Sequence, residues 1–582
     1  WYNQVFQKLS KGQKMGEKKS VKKNPERKDI NPDDCWDLCK LFENEDAWEE
    51  GLKAYEKLVP KIRSFKNTLQ TSPKKLYDCL LFNNQLGILE ERLGYWSNLK
   101  VSEDSSNSSS QGRFSRFMNV SCKAQAENSF LIPEILSIPD EKMESFLKSE
   151  ELHDFRIFLK KILRTKPHIL SEQEEKLIAM QTEFSQTAQK AFSALSDVDM
   201  DFGVVDTPDG KQTLTQSTYG SLILHKEREV RKKAYSQLLQ EYKEHEHTLA
   251  ALYSGSVRHD IFVAKARKYS SSLNSKLFPD MVPEEVYTNL ISTVHENLDF
   301  LHQYYEVRQK ALKLKSLHLY DTRVPIIEEI SVRHSYDEAV ALLERALLPL
   351  GDEYVQTMKA GLLGGWVDRY ENKGKRSGAF SAGSFTGDPY ILMNFKEDVF
   401  NDVFTLAHEA GHSMHSWYSS QNNPFQHYDY TIFAAEVAST FNEQLLAHYL
   451  LEHAESKPFR LYLINKQVDD IIGTIFRQTM FAEYEKVVHE MAEENQPLTL
   501  DTLKLEYEKL LKIYFGTKVS LEPNSSLEGL RIPHFYHSFY VYKYATGLSA
   551  AIALSQKVLH GEGGALERYI SFLKSGGSKY PL

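Results

Sequence analysis

Three histidines and one glutamate stand close together in the segment TLAHEAGHSMHSW, residues 405–417. The apolar residues before them recur at helical spacing, so we predict a helix that carries His408 and His412 on one side. Two imidazoles one turn apart can bind a single zinc ion, each through one ring nitrogen. Glu409 is not a natural third ligand and is better placed to take a proton from zinc-bound water. The spacing therefore predicts a hydrolytic metal centre.

The alternative interpretation is an ordinary helix with a polar stripe on its surface. Gly411, inside the predicted helix, argues against that alternative. Glycine in a helix interior costs about 1 kcal/mol relative to alanine. We therefore expect another element to pack closely against the helix at this position.

A zinc site of this kind requires a third protein ligand and an open fourth position. The extension that would supply a third histidine is absent, because His415 stands where that pattern has glycine. We favour Glu436, which lies among small residues at the start of a helix predicted over 431–453. Glu443, two turns later on the same face, is the expected acceptor that orients a ligand histidine. The rival third ligands are His415, His427 and Asp429.

Helical periodicity in nearly every long segment predicts a mainly α protein. The 582 residues, 41% of them hydrophobic, are enough for two lobes, which we place at 29–205 and 206–582. Few exceptions to the helical pattern occur. A Pro-Asp-Gly turn predicts a hairpin at 206–213, and the serine-rich stretch 102–111 reads as a loop. The glycine-rich stretch 373–387 lacks a phosphate-loop ending and is predicted to be a mobile loop over a cleft.

Composition and charge exclude several classes of protein. A net charge of -9 spread over both signs gives no footprint for nucleic acid or for an anionic membrane. The basic stretch within residues 1–28 is predicted to be a disordered or added tail. Four cysteines without metal-type spacing suggest a reducing compartment, so we expect a cytoplasmic protein. The chain begins with Trp1 rather than Met, so this location is inferred only from the residues present.

Four stretches together resemble the oligoendopeptidase F branch of the thimet oligopeptidase-like zinc peptidases. They are HEAGHSMH (408–415), FAAEVASTFNEQLL (433–446), PYILMNF (389–395) and RIPHFYHSFYVYKYATG (531–547). The resemblance implies a two-lobed helical fold with a deep central channel and a small β-element beside the zinc. Carried over position by position, it implies that His408, His412 and Glu436 bind one zinc ion per chain. It also implies that Glu409 is the general base.

The same resemblance implies how a substrate is held. PYILMNF would be an edge strand along which the peptide backbone lies, and such an edge binds peptides with little regard to sequence. The segment 531–547 is dense in groups that could donate a hydrogen bond to a developing oxyanion. We favour His534, Tyr540 and Tyr544 for this role, with Tyr542 next. The alternative is that these tyrosines only pack a helix interface.

The sequence thus predicts a zinc-dependent oligoendopeptidase that hydrolyses internal bonds of short peptides. Two histidines and a carboxylate favour zinc over other divalent metals. The alternatives are a helical zinc carboxypeptidase and a peptide-binding protein with a decayed site, although the intact Glu409 argues against decay. Arg477 could anchor a substrate or brace a helix, and bracing is favoured. We expect a monomer. The resemblance also implies a final helix beyond the GGSKYPL stretch, whereas this chain stops at Leu582, so either its end is trimmed or that element is absent.

Overall fold

The computed structural model describes residues 24–327 and 332–582. The predicted basic tail lies outside the described residues, apart from 24–28, where Arg27 donates a 2.8 Å hydrogen bond to Asp368. Helices dominate the described part, which confirms the prediction of a mainly α fold. No helix within the described ranges is long and apolar enough to cross a bilayer.

The first half of the chain folds into helices of up to 31 residues. They are α1 Glu45–Leu58, α2 Pro73–Glu103, α3 Ser108–Asn128, α4 Leu131–Ser137, α5 Asp140–Lys148, α6 Arg156–Arg164, α7 Glu172–Ser185, α8 Thr187–Ala194, α9 Gln216–Leu222, α10 Arg228–Glu244, α11 Glu246–Ala266, α12 Ser272–Leu277, α13 Glu284–Glu296 and α14 Leu298–Ala311.

The second half of the chain contains the helices that carry the candidate site. They are α15 Tyr336–Ala346, α16 Asp352–Leu363, α17 Asn401–Asn422, α18 Phe425–Tyr428, α19 Ile432–Glu452, α20 Lys457–Ile471, α21 Arg477–Glu493, α22 Leu500–Phe515, α23 Glu528–Arg531, α24 Tyr542–Leu559 and α25 Ala565–Ser575. A π-helical turn, Ile472–Phe476, joins α20 to α21.

Three small sheets interrupt the helices. Strands β1 Val204–Thr207 and β2 Gly210–Thr213 form an antiparallel hairpin, which confirms the predicted turn. Strands β3 Leu317–His318 and β7 Val519–Ser520 pair in parallel. The third sheet consists of β4 Val367–Asp368, β5 Phe380–Ala382 and β6 Tyr390–Leu392, in the order β4-β6-β5.

The predicted loop at 102–111 is wrong. Helix α2 continues to Glu103 and α3 begins at Ser108, so that only a short link separates them. The side chain of Asn107 caps α3 by accepting hydrogen bonds from the backbone of Ser109 and Ser110. A polar stretch that looks like a loop is here a helix N-terminus followed by helical serines.

The prediction that PYILMNF is an edge strand is also wrong. Strand β6 lies in the centre of its sheet, and all three of its residues are buried. An apolar run that is covered on both faces is typical of a central strand. One edge of this sheet is β5, which lies inside the glycine-rich stretch that we predicted to be a mobile loop.

The buried side chains form three hydrophobic clusters. One contains residues 36–163 and reaches Tyr390 and Leu392 of β6. A second combines 336–463 with 551–573, and a third combines 192–320 with 480–542. Helix α17 belongs to the second cluster, whereas Phe433 at the start of α19 belongs to the third. The candidate site therefore lies where separate cores meet, and the lobe boundary at 205 stays a prediction.

Candidate active site

Helices α17 and α19 approach each other unusually closely at Gly411. A Cβ atom on Gly411 would lie 2.5 Å from the carbonyl oxygen of Ala438 and 2.6 Å from the Cα of Ser439. Real Cβ atoms do not occur at such distances, so only glycine fits here. The expectation that another element packs against Gly411 is confirmed.

This close packing brings His408, His412 and Glu436 together. The Nε2 atoms of the two histidines lie 3.2 Å apart. The Oε2 atom of Glu436 lies 3.5 Å from His408 Nε2 and 3.8 Å from His412 Nε2. All three candidate ligand atoms are within 4.8 Å of one another. The structure therefore gathers the three residues that the sequence singled out.

The donor set and its dimensions fit a zinc ion. Zinc binds nitrogen and carboxylate oxygen at about 2.0–2.2 Å in a tetrahedral arrangement. That arrangement separates neighbouring ligand atoms by roughly 3.4 Å. The distances of 3.2, 3.5 and 3.8 Å lie close to this value. Three protein ligands leave the fourth position of a tetrahedron open, as hydrolysis requires.

Further hydrogen bonds orient each of these three side chains. The Nδ1 atom of His408 lies 2.6 Å from Glu443 Oε1, as expected from their positions in sequence. His412 hydrogen-bonds to the backbone of Ala435, and Ser439 Oγ donates to Glu436 Oε2 at 3.2 Å. Burial alone would lower the pKa of His408, but the hydrogen bond and charge of Glu443 outweigh it and raise that pKa. The Nε2 face of each histidine is thereby turned toward Glu436.

Glu409 is buried beside this cluster, with 7% of its surface exposed. Burial, reinforced by the charges of Glu436 and Glu443, raises its pKa to about 7 against the opposing effect of His408. The backbone N–H of Ser381 in β5 donates a hydrogen bond to its carboxylate. A carboxylate in this position can accept and return a proton.

A cavity of about 440 Å3 opens onto the cluster. His408, Glu409, His412 and Glu436 form part of its wall, and β5 forms another part. Since the three candidate metal ligands and a strand edge share one cavity, the arrangement can hold an extended peptide beside a hydrolytic centre.

The free edge of β5 faces this cavity. Ile391 of β6 pairs with Ser381, but its N–H donates to Trp366 on the β4 side. In an antiparallel pair of this kind, the N–H and C=O of Ser381 must point away from β6. The backbone groups of β5 that could pair with a peptide therefore lie next to Glu409.

The rival ligands do not join the three-residue cluster of His408, His412 and Glu436. His415 is buried with its ring stacked on Tyr430 at 3.6 Å, and burial lowers its pKa to about 3. His427 is buried in α18, and Asp429 lines the cavity. Neither belongs to the group of candidate metal ligands found among the described residues. His415 thus contributes packing behind the helix.

His534, Tyr540 and Tyr544 form a row of rings. The His534 and Tyr540 centroids are 5.7 Å apart, and those of Tyr540 and Tyr544 are 5.8 Å apart. All three are partly exposed, and Tyr540 also hydrogen-bonds to Tyr544. They do not belong to the wall of the cavity described above. Helix α24 connects them to it, because Gly547 on α24 lies against Glu436, where an added Cβ would be 3.3 Å from Glu436 Cβ.

Tyr542 is unsuited to the donor role that we gave it as next choice. Its side chain is fully buried and packs against Tyr287, with ring centroids 5.1 Å apart. Arg477 forms an ion pair with Glu528, which agrees with the favoured bracing role.

Sequence reasoning missed a contact between the first core and the cavity rim. Glu91 of α2 accepts a hydrogen bond from the backbone N–H of Phe385 at 2.6 Å and another from the hydroxyl of Tyr428. Tyr428 lines the cavity. Glu91 carries no signal of its own, because it is one charged residue within a long helix.

Comparison with known proteins places these observations in a family. Residues 221–582 match the sequence model of peptidase family M3, and residues 134–202 match that of oligopeptidase F. The chain is 43% identical to an oligoendopeptidase F homolog of Borreliella burgdorferi, over 96% of this chain and 94% of that protein. It is 39% identical to oligopeptidase PepF of Bacillus subtilis, over 100% of this chain and 87% of that protein.

Solved structures agree with these matches. A crystal structure of a Chlamydophila abortus protein aligns with a TM-score of 0.90 at 35% identity, covering 96% of this chain and 94% of that one. The crystal structure of oligoendopeptidase-F from Enterococcus faecium aligns with a TM-score of 0.71 at 31% identity, covering 92% of each chain.

Proposed function

The chain belongs to peptidase family M3, in its oligoendopeptidase F branch, and we propose that it is a zinc-dependent endopeptidase that cleaves short peptides internally. Membership makes it a peptidase of a metal-dependent family. One observation carries the finer proposal: the candidate ligand atoms of His408, His412 and Glu436 lie within 4.8 Å of one another beside the buried Glu409.

In this proposal His408, His412 and Glu436 hold one zinc ion per chain. A zinc ion bound there supplies a Lewis acid that acidifies water and polarises the peptide carbonyl. Glu443 keeps His408 oriented through its Nδ1 atom, 2.6 Å from the carboxylate. The choice of zinc rests on the two imidazoles and one carboxylate.

Glu409 is the general base of the proposed reaction. Its carboxylate takes a proton from the attacking water and later gives it to the departing amine. The N–H of Ser381 fixes the carboxylate, and burial keeps bulk water away from it. Attack by water needs no covalent intermediate with the protein.

We assign the substrate-binding edge to β5 rather than to PYILMNF. The C=O of Ser381 points away from β6, on the same side as the N–H that Glu409 binds. A peptide that pairs with this edge lies beside Glu409 whatever its side chains are. Broad sequence tolerance is therefore expected.

His534, Tyr540 and Tyr544 are the proposed donors to the oxyanion. Their row of rings leads into the first turn of α24, whose Gly547 contacts Glu436. Since the row is partly exposed, the phenol and imidazole groups are available to a substrate. Such a donor contributes a few kcal/mol of transition-state stabilisation.

Metal analysis combined with an internally quenched peptide tests the proposal. We expect about one zinc per chain and zinc-dependent cleavage in the wild type. Glu409→Gln should retain the metal, because Glu409 is not a ligand, and should lose about 10²–10⁴-fold in kcat. If Glu409→Gln keeps full activity, the assignment of the base is wrong.

A peptide blocked at both ends separates the endopeptidase from its alternatives. Internal cuts in the blocked peptide, identified by mass spectrometry, support an endopeptidase. Cleavage that requires a free C-terminus and releases single residues would indicate a carboxypeptidase. Binding without any turnover, in zinc-loaded protein, would indicate a peptide-binding protein.

A further inference from the structure

A second cavity, of about 420 Å3, is lined in part by Ile472 and Gly473 of the π-helical turn Ile472–Phe476. Three arginines, Arg323, Arg477 and Arg531, contribute to its wall. Much of the remaining wall is aromatic or aliphatic and includes Tyr219, Ile223, Tyr305, Leu319 and Phe515. The cavity thus combines positive charge with an apolar lining.

Two of the three arginines form ion pairs with the same carboxylate. Glu528 forms an ion pair with Arg477, and its Oε1 atom lies 3.6 Å from Nη2 of Arg531. The hydroxyl of Tyr507 donates to the same carboxylate at 3.1 Å. Arg477 and Arg531 are therefore held in place, but a single negative charge does not neutralise both.

Asp469, the other acidic residue of the wall, also has hydrogen-bond and ion-pair partners of its own. Asp469 accepts a hydrogen bond from the Tyr304 hydroxyl at 2.8 Å and another from Asn465 at 2.9 Å. The buried Arg308 lies 3.4 Å from the same carboxylate. Asp469 thus has its own cation and does not compensate the arginines across the cavity.

Among the residues that the structure describes, Arg323 has no such partner. Within residues 24–327 and 332–582, no hydrogen bond or ion pair reaches its guanidinium, although the residue is exposed to the cavity. The groups that surround the cavity mouth partly desolvate the Arg323 guanidinium and lower its pKa, and the charge of Arg477 lowers that pKa further, while the charge of Glu528 opposes this. An unpaired guanidinium beside two others is stabilised by an anion, which it can bind through two parallel hydrogen bonds.

Helical segments connect the surroundings of the two cavities. Burial raises the pKa of Asp470 on α20, and the charge of Glu443, the residue that orients His408, contributes to this rise. Gly473, three residues further along the same segment, lines the second cavity. The π-helical turn also packs against α24, whose Gly547 contacts Glu436. A short peptide that passes the metal-type cluster could therefore end beside Arg323.

We propose that the second cavity binds the carboxylate at the C-terminus of a short peptide, with Arg323 as its principal partner and the apolar wall receiving the last side chain. This proposal rests on the proposed function, since it concerns peptides cut at the candidate site. The cut bond remains internal. Recognition of a free carboxyl-terminus fixes how far from that terminus the cut falls, because the end lies in the cavity while another part of the peptide lies on β5.

Two quenched peptides that differ only at the C-terminus test the proposal. One ends in a free carboxylate and the other in an amide, both after an apolar residue. For the wild type we expect kcat/KM to be about tenfold or more higher for the acid, since a charge-assisted hydrogen bond is lost in the amide. Arg323→Gln should bring the acid-to-amide ratio to about one.

Arg333→Gln is the matched control. Arg333 is an exposed arginine that pairs with Glu397 at 2.6 Å, outside both cavities, so its loss should leave the ratio unchanged. A ratio near one in the wild type, or an undiminished ratio in Arg323→Gln, would overturn the proposal. An amidated peptide that ends in glutamate distinguishes a general carboxylate site, which would restore the higher kcat/KM, from one specific for the α-carboxylate.

A binding experiment separates this proposal from the proposed function. Fluorescence anisotropy of the labelled acid and amide peptides is measured on protein stripped of metal. Tighter binding of the acid by the wild type, lost in Arg323→Gln, supports the subsite even if no peptide is cleaved. Equal binding of the two peptides refutes the subsite even if both are cleaved.

Discussion

At the scale of single residues, the candidate metal centre depends on groups behind the ligands as much as on the ligands. His408 presents Nε2 to the cluster because Glu443 holds its Nδ1 atom at 2.6 Å. Without that acceptor the ring could rotate, and its other tautomer would no longer be disfavoured.

We therefore expect Glu443→Ala to weaken zinc binding by about 10–100-fold, without removing a ligand. Competition with a fluorescent chelator measures this affinity. Glu452→Ala is a matched control, because Glu452 pairs with His448 at 3.2 Å on the exposed end of the same helix. Equal zinc affinity of the two variants would show that Glu443 does not orient the ligand.

The tyrosine-rich segment allows a sharper test, because its members differ in environment. Tyr540→Phe or Tyr544→Phe should lower kcat by about 10²–10³-fold if the phenol stabilises the oxyanion. Tyr542→Phe should leave kcat unchanged and should not destabilise the fold, since the buried Tyr542 hydroxyl has no partner among the described residues. Steady-state kinetics with thermal unfolding of each variant gives both readouts; a loss of kcat confined to Tyr542→Phe would reverse the assignment.

At the scale of elements, the spacing of α17 and α19 sets the geometry of the centre. Gly411→Ala would place a methyl group 2.5 Å from the Ala438 carbonyl and push the helices apart. We expect a destabilisation of about 1–3 kcal/mol. Zinc binding should also weaken, because His412 lies on α17 and Glu436 on α19, so that separating the helices separates the two ligands.

Urea unfolding and chelator competition test the Gly411→Ala prediction. Gly255 in the interior of α11 is the control, since an added Cβ there meets nothing within 4 Å. Gly255→Ala should be neutral or stabilising by up to about 1 kcal/mol. A harmless Gly411→Ala would mean that the two helices can separate without moving the ligands.

The sequence predicted this pair of helices well and the adjoining sheet poorly. His408, Gly411 and His412 are related by the repeat of one helix, and Glu436 and Glu443 by the repeat of the next, which is a local property. Strand order is not local. The apolar run of β6 indicates a strand, but only its pairing with both β4 and β5 shows that it is central. Arg323 likewise gave no signal, because its cavity is assembled from distant segments.

At the scale of the whole molecule, the sequence correctly predicted a mainly helical peptidase of a known family. It could not show that the buried side chains form three cores that meet around the site, since such contacts join residues far apart in the chain. The monomeric state and the cytoplasmic location that we expect from the sequence stay predictions.

Acid should destabilise the molecule through Glu528. Although burial opposes it, Arg477 and Arg531 lower the pKa of Glu528 to about 2, against about 4.3 in an unfolded chain. Between these pH values the unfolded state binds more protons, so stability present above about pH 4.3 is lost as the pH falls toward 2. The contribution is on the order of 3 kcal/mol.

Urea unfolding at pH 5 and pH 3 measures this effect. The wild type should lose more stability between the two pH values than Glu528→Gln, which should already be less stable at pH 5 because Arg477 loses its partner. Glu508→Gln, which removes an exposed carboxylate that pairs with Lys512 at 2.5 Å, should behave as the wild type. Identical pH dependence of all three proteins would refute the role of Glu528.

Helix α19 is contacted by a glycine from each of two neighbouring helices, Gly411 of α17 and Gly547 of α24. Crowding at either contact cannot be relieved by a smaller residue at these positions, because glycine has no side chain to lose. Helix α17, which carries the two histidines, and helix α24, which carries Tyr544, are thus held at a fixed separation from Glu436. Evolutionary change at this centre should therefore be confined to the cavity walls and the termini. The spacing of α17, α19 and α24 should be conserved together.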